Sequence, residues 1–126
     1  MKHLQTEKAI TALLQKQTNF LLHLYELIEE NMDASPLNVN FLATHMAVSR
    51  STLNRKLSTL TGKSAHELIK NCRLKKAEKL LNSGRNVSET AYLTGFETPS
   101  YFIQCFKETY KITPKEYSKN NLKSMI

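Results

Sequence analysis

Between residues 6 and 31 the apolar positions Ile10, Leu13, Leu14, Phe20, Leu21, Leu24, Leu27 and Ile28 return at steps of three and four. That is the spacing of one side of an α-helix. Asp33-Ala34-Ser35-Pro36 is expected to end it, because proline disfavours helical geometry in the residue before it. Beyond this point the apolar stretches shorten, and each opens on a capping residue. Asn38 precedes a predicted helix over 39–45, and Ser49 precedes one over 50–60 that ends at Gly62. Ser64-Ala65-His66-Glu67 is a capping box for a longer helix over 65–83, closed by Gly84. Asn86-Val87-Ser88-Glu89 starts a helix over 87–94 that stops at Gly95. Thr98-Pro99 opens 99–110, and Thr113-Pro114-Lys115-Glu116 repeats that start for a last helix near 114–120. No stretch alternates with period two, so the chain is predicted all-α, with about seven helices.

The second half repeats the first at a period of about 49 residues. Val39 and Ala43 match Val87 and Ala91, Leu53 and Leu57 match Phe102 and Phe106, and the Ser64-x-x-Glu67 box matches Thr113-x-x-Glu116. Each copy is a short helix, a tight turn and a second capped helix, the helix-turn-helix pattern. In the 50–60 helix, Leu53, Leu57 and Leu60 point one way and Ser51, Arg55 and Ser58 the other, with Asn54 beside them. In the 99–110 helix, Phe102, Phe106 and Tyr110 form the core stripe and leave Ser100, Gln104 and Lys107 outward. Short polar residues with Arg, Asn and Gln suit base edges in a groove of DNA. The first outer face has no acid, whereas Glu108 lies near the second. The 65–83 helix shifts its apolar side from Leu68, Ile69 and Cys72 to Leu74, Ala77, Leu80 and Leu81, as a spacer joining two small cores must.

Charge sharpens this picture. The formal net charge of the 126 residues is +7. Residues 1–36 hold three lysines against five acids, and residues 37–126 hold fifteen Lys and Arg against six acids. A basic module behind a mildly acidic helix suggests a polyanion, nucleic acid first. At 40% hydrophobic, the chain carries one cooperative core and is too short for two ordinary domains. No apolar run approaches the ~20 residues that cross a bilayer, so no membrane contact is expected of this segment. The start, Met1 to Glu7, lacks the apolar stretch of a secretory signal. Cys72 and Cys105 form no CxxC and read as reduced thiols, which points to the cytoplasm, although a longer parent could itself be membrane-anchored.

The run Arg73-Leu74-Lys75-Lys76-Ala77-Glu78-Lys79-Leu80-Leu81, with Ala91-Tyr92-Leu93-Thr94-Gly95-Phe96, Ser100-Tyr101-Phe102, Phe106-Lys107 and Thr113-Pro114-Lys115-Glu116-Tyr117, resembles the AraC/XylS family of transcription regulators. The resemblance covers about residues 37–118. It implies two helix-turn-helix subdomains joined by a central helix, each placing a recognition helix in the major groove on one face of double-stranded DNA. It divides the chain into an N-terminal connecting helix (1–36) and a DNA-binding domain (37–126), with a first head at 37–63, a linker at 64–84 and a second head at 85–120. By the same resemblance, Ser51, Asn54 and Arg55 read bases in the first head, and Pro99, Ser100, Tyr101 and Gln104 in the second. Ser49, Arg50, Lys56 and Lys107 would touch phosphates. The chain departs from the family pattern at Gln104 and Ser118, where arginine is frequent, and at Ala47 and Lys111, where glycine is common. Gln104 implies a second head that binds weakly or prefers adenine. Glu29-Glu30-Asn31-Met32-Asp33, Val48-Ser49-Arg50-Ser51 and Leu60-Thr61-Gly62-Lys63-Ser64 are most similar to the C-terminal output domain of bacterial hybrid two-component regulators. That implies receiver or kinase domains upstream in a longer protein.

Two other classes stay open at this stage. An enzyme would need chemistry that is hard to find. His3, His23, His45 and His66 lack metal-ligand spacing, and no phosphate loop, cofactor motif or nucleophile motif occurs. An alkyl-accepting cysteine would fall to Cys72 or Cys105, but Cys72 lies on the apolar side of its helix. A protein-interaction module would instead use the 6–31 helix, as a homodimer contact or a contact to neighbouring domains.

Overall fold

Capping residues decide where the short helices begin. In the computed structural model, which describes residues 2–33 and 36–124, seven helices follow one another: α1 (Lys2–Glu30), α2 (Val39–His45), α3 (Arg50–Thr61), α4 (Ala65–Asn82), α5 (Val87–Leu93), α6 (Pro99–Tyr110) and α7 (Pro114–Ser124). The side chains of Asn38, Ser49, Ser64, Asn86, Thr98 and Thr113 each accept a hydrogen bond from a first-turn amide of the helix they precede, at 2.8 to 3.2 Å. Each bond satisfies an N–H that the helix cannot reach itself and contributes about 1 kcal/mol.

The helix ends show where local signals fall short. α1 starts at Lys2 rather than near residue 6, since nothing in Lys2-His3-Leu4-Gln5 breaks a helix. It stops at Glu30, and the Asn31 side-chain Nδ2 then donates to the Leu27 carbonyl at 2.8 Å, occupying a last-turn acceptor. Of the predicted Asp33–Pro36 stop, residues 34 and 35 lie outside the described residues. α7 runs past residue 120 to Ser124, because no glycine or proline follows Tyr117 to stop it.

Two clusters of buried side chains hold the helices together, and α4 belongs to both. The first unites Leu24, Ile28 and Met32 with Leu42, Leu53 and Leu57, and closes on Ala65, Leu68 and Ile69 of α4. The second unites Leu74, Ala77 and Leu81 of α4 with Ala91, Phe96, Phe102, Cys105 and Phe106. The predicted shift of the apolar side along this helix is therefore present. Packing does not stop at residue 36, because the second half of α1 completes the first core. The second core is aromatic: Phe106 stands 5.8 Å from Phe102, 4.5 Å from Tyr110 and 5.4 Å from Tyr117, ring centre to ring centre. Burial, and next the neighbouring Glu78, push the Tyr110 hydroxyl up to about 12, so it stays neutral where α6 meets α4.

Ala47 and Lys111, which stand where the family favours glycine, both adopt the left-handed conformation, with φ of 58° and 67°. That costs an L-residue roughly 1–2 kcal/mol. Ala47 is exposed, so Ala47→Gly removes the strain without opening a cavity. The freer unfolded chain takes back about 0.4–1 kcal/mol. We expect a net gain of about 0.5–1 kcal/mol, seen as a midpoint raised by roughly 3 °C in thermal unfolding.

Candidate nucleic-acid interface

The two turns that present α3 and α6 are built alike. After α2, Met46 N–H donates to Leu42, Ala47 to Thr44 and Val48 to Ala43; after α5, Thr94 donates to Thr90, Gly95 to Tyr92 and Phe96 to Ala91. Both turns pass through one left-handed residue, Ala47 or Gly95. Up to Val48 and Phe96 the copies are offset by 48 residues, and from Ser49 and Thr98 onward by 49. Glu97 is the extra residue, inserted just before the second recognition helix.

In the first head Arg50, Ser51, Arg55 and Ser58 are exposed on α3, while Leu53 and Leu57 are fully buried beneath them. The outer face of this helix is thus free of acid and rich in donors. Ser49 is exposed at its start, with Oγ accepting from Thr52 N–H and donating to Thr52 Oγ1. Two of the predicted side chains also make contacts within the domain. Asn54 is half-buried and its Oδ1 accepts the Ala65 N–H at 3.0 Å, so it ties α3 to the start of α4. One lone pair of that oxygen is thus engaged within the domain. Lys56 is exposed on the flank facing α1, its ammonium 5.0 Å from the centre of the Phe20 ring, and it lines a groove there together with Arg55.

The second head is more encumbered. Pro99 sits half-buried at the first position of α6, with Ser100, Gln104 and Lys107 exposed. Gln104 Nε2 donates to Glu108 Oε1 at 3.3 Å. Tyr101 is 43% exposed and packs edge-on to Phe96. A hydrogen bond with Cys105, and next burial, push the Tyr101 hydroxyl up, so it is a neutral donor at physiological pH. Glu108 places a carboxylate beside the groups that would meet DNA and engages the side chain meant to read it. If α6 meets DNA, Glu108→Gln should tighten DNA binding on the order of fivefold, the worth of one nearby charge in a wet interface. A DNA titration of the variant checks this, and unchanged affinity would place Glu108 clear of the interface.

Three residues outside the predicted site join the heads. Arg73 of α4 is half-buried, and its Nε is buried without a hydrogen-bond partner among the described residues. Burial pulls the Arg73 guanidinium down from its usual range, while Tyr101 and Glu97 draw it back up. It lies against Gly95: a Cβ there would stand 3.0 Å from Arg73 Nε and would overlap the Met32 carbonyl oxygen. The second turn therefore closes on the segment that follows α1. The sequence signal for Arg73 is its place in the row Ile69, Arg73, Ala77, a charge within an apolar stripe at four-residue spacing. Cys105 is buried and Cys72 only partly exposed. Burial, with Glu29 next, pushes the Cys72 thiol up, the opposite of an activated nucleophile.

Residues 42–120 match the model of a family described as "Helix-turn-helix domain". The chain is 31% identical over 117 residues to histidine kinase P4 of Formosa agariphila, which covers 92% of this chain and 8% of that protein. It is 32% identical over 94 residues to the regulator AdiY of Escherichia coli, covering 74% of this chain and 36% of AdiY. The chain thus spans a minor part of either relative. The C-terminal domain of the two-component response regulator yesN from Fusobacterium nucleatum superposes with a TM-score of 0.74 at 30% identity, covering 79% of this chain and 98% of that one. The DNA-binding domain of AdpA, solved with a target DNA, gives 0.73 at 25% identity, covering 79% and 90%. With the paired turns, the shared linker helix and the family match over most of its length, the chain belongs to the AraC-type helix-turn-helix family of DNA-binding domains of transcription regulators.

Proposed function

We propose that this domain is the output module of a hybrid two-component signalling protein, and that it reads two adjacent major-groove segments of duplex DNA with α3 and α6. The observation that carries the reading is the repeated turn, which presents two helices of like construction from one shared helix. Arg55 suits the paired acceptors of guanine, with Ser51 beside it. Ser100, Tyr101 and Gln104, with Pro99 at the helix start, are the reading set of the second head. Arg50, Lys56, Lys107 and the capped start of α3 at Ser49 are the phosphate contacts, and Asn54 stands beside Arg55 in the first reading set, its Oδ1 also accepting the Ala65 N–H. The tie to a sensor and receiver is supported by likeness to a histidine kinase and to the C-terminal domain of a response regulator. A cytoplasmic site of action fits this role. Among the described residues, no helix is long and apolar enough to cross a membrane.

Selection from a random duplex pool, followed by titration of the selected site, tests the reading. Each phosphate neutralised should cost about 0.9 log units of affinity per log unit of salt. Several such contacts are expected, so affinity should fall steeply between roughly 50 and 200 mM salt. A flat salt response, or no enriched sequence, would overturn it.

A further inference from the structure

Where α1 passes α3, the two helices enclose a groove of about 400 Å³ that is lined by Lys16 of α1 and by Arg55 and Lys56 of α3. Leu13, Phe20 and Leu60 supply its apolar part, and no acid lines it. All three cationic side chains are exposed, and none has an ion-pair partner among the described residues, where Arg85 pairs with Glu89. The nearest acids along α1 are Glu7 and Glu26, nine and ten residues from Lys16 and so roughly 14 Å away along the axis. The stems of the lysines can lie on the apolar part while their charged ends stay in water. Position is fixed by packing: Phe20 rests against the first core, and its ring lies 5.0 Å from the Lys56 ammonium. A ring face draws an ammonium without neutralising it, so the charge stays open to an anion. Like charges gathered around one groove repel each other, and an anion set among them removes that cost.

We propose that Lys16 and Lys56 together hold a backbone phosphate of duplex DNA beside the first major-groove segment, which makes α1 a DNA contact as well as part of the first core. The contact rests on the reading of DNA by α3. Arg55 joins the two surfaces, because it lines the groove and also stands on the outer face of α3. The groove is therefore continuous with the face that meets bases. A helix seated in the major groove has a phosphate strand along each flank, and the flank of α3 that faces α1 meets one of them. Lys56 approaches that strand from α3, and Lys16 approaches it from across the groove. Lys16 belongs to an element outside residues 42–120, the part of the chain that the family model matches. This phosphate contact is thus an addition to the paired heads, made by the helix that precedes them.

Titration of the selected duplex with the whole chain and with Lys16→Gln tests this. Loss of the one charge should weaken binding on the order of fivefold. It should also make the salt dependence shallower by about 0.9 log units of affinity per log unit of salt. Base preference and thermal unfolding should not move, since Lys16 is exposed and phosphates carry no sequence. Lys8→Gln removes an equal charge from the same helix, eight residues earlier and about 80° round its axis, and should leave the slope nearly unaltered. On duplexes carrying a single uncharged methylphosphonate, one position beside the first segment should weaken the unmodified chain and leave Lys16→Gln indifferent. If the unmodified chain binds with a steep salt response and Lys16→Gln does the same, the α1 contact is overturned while the reading by α3 stands. Equal losses for Lys8→Gln and Lys16→Gln would trace the effect to net charge and overturn it too. A flat salt response of the unmodified chain would remove the reading by α3, and the α1 contact with it.

Discussion

Gly95→Ala is expected to cost about 3 kcal/mol of stability, lowering the unfolding midpoint by roughly 10 °C, and to strip the second half-site from any DNA footprint. Two effects add. At φ +84° an L-residue carries about 1–2 kcal/mol of strain. The new methyl would also overlap the Met32 carbonyl oxygen and press on Arg73. A backbone carbonyl cannot swing aside as a long side chain can, so the second turn must back away from the segment following α1. Two substitutions separate strain from overlap. Gly84→Ala meets the same strain at φ +95° with no atom within 4 Å of the new carbon, and should cost only about 1 kcal/mol. Ala47, at the matching turn of the first head, already carries a Cβ at φ 58°. If Gly95→Ala unfolds no earlier than Gly84→Ala, the closure of the two heads on one another does not depend on that contact.

What the sequence made legible was whatever depends on neighbours within one or two turns. The caps at Asn38, Ser49, Ser64, Asn86, Thr98 and Thr113 need only a side chain and an amide three residues on. The buried stripes, Leu53 and Leu57 or Phe102 and Phe106, need only helical spacing, and so does the change of side along α4. Distant partners were not legible. Periodicity puts Asn54 near the outer face of α3, but the partner that claims its oxygen is Ala65, eleven residues on and across the turn at Gly62. The Phe20 ring that Lys56 stands over belongs to α1. Gly95 reads locally as a turn residue, and only the fold reveals that Met32 occupies the space a side chain would need. The left-handed turn at Ala47 shows a further limit, since the fold holds a residue in a conformation that its own propensity opposes.

These same cross-contacts make the spacing between the heads stiff, and the remaining large effect follows from that stiffness. The linker α4 spans 18 residues, about 27 Å, against the roughly 34 Å repeat of a DNA turn. Asn54 fastens one end of it to α3, and the contact of Gly95 with Met32 and Arg73 holds the second turn against the first head. A spacer so held cannot follow a half-site rotated to the opposite side of the duplex. On the proposed reading, inserting about 5 base pairs between the two segments should remove the contribution of α6, lowering affinity on the order of tenfold or more, with protection left only on the first segment. A whole-turn insertion should not restore it, because α4 cannot lengthen by another ~34 Å. Gln104→Ala should weaken binding at the native spacing and change nothing on the half-turn site. Equal affinity of the domain for native and half-turn sites would mean that α3 alone engages DNA. The cause would then lie where Glu108 holds Gln104, and Glu108→Gln should bring the spacing dependence back.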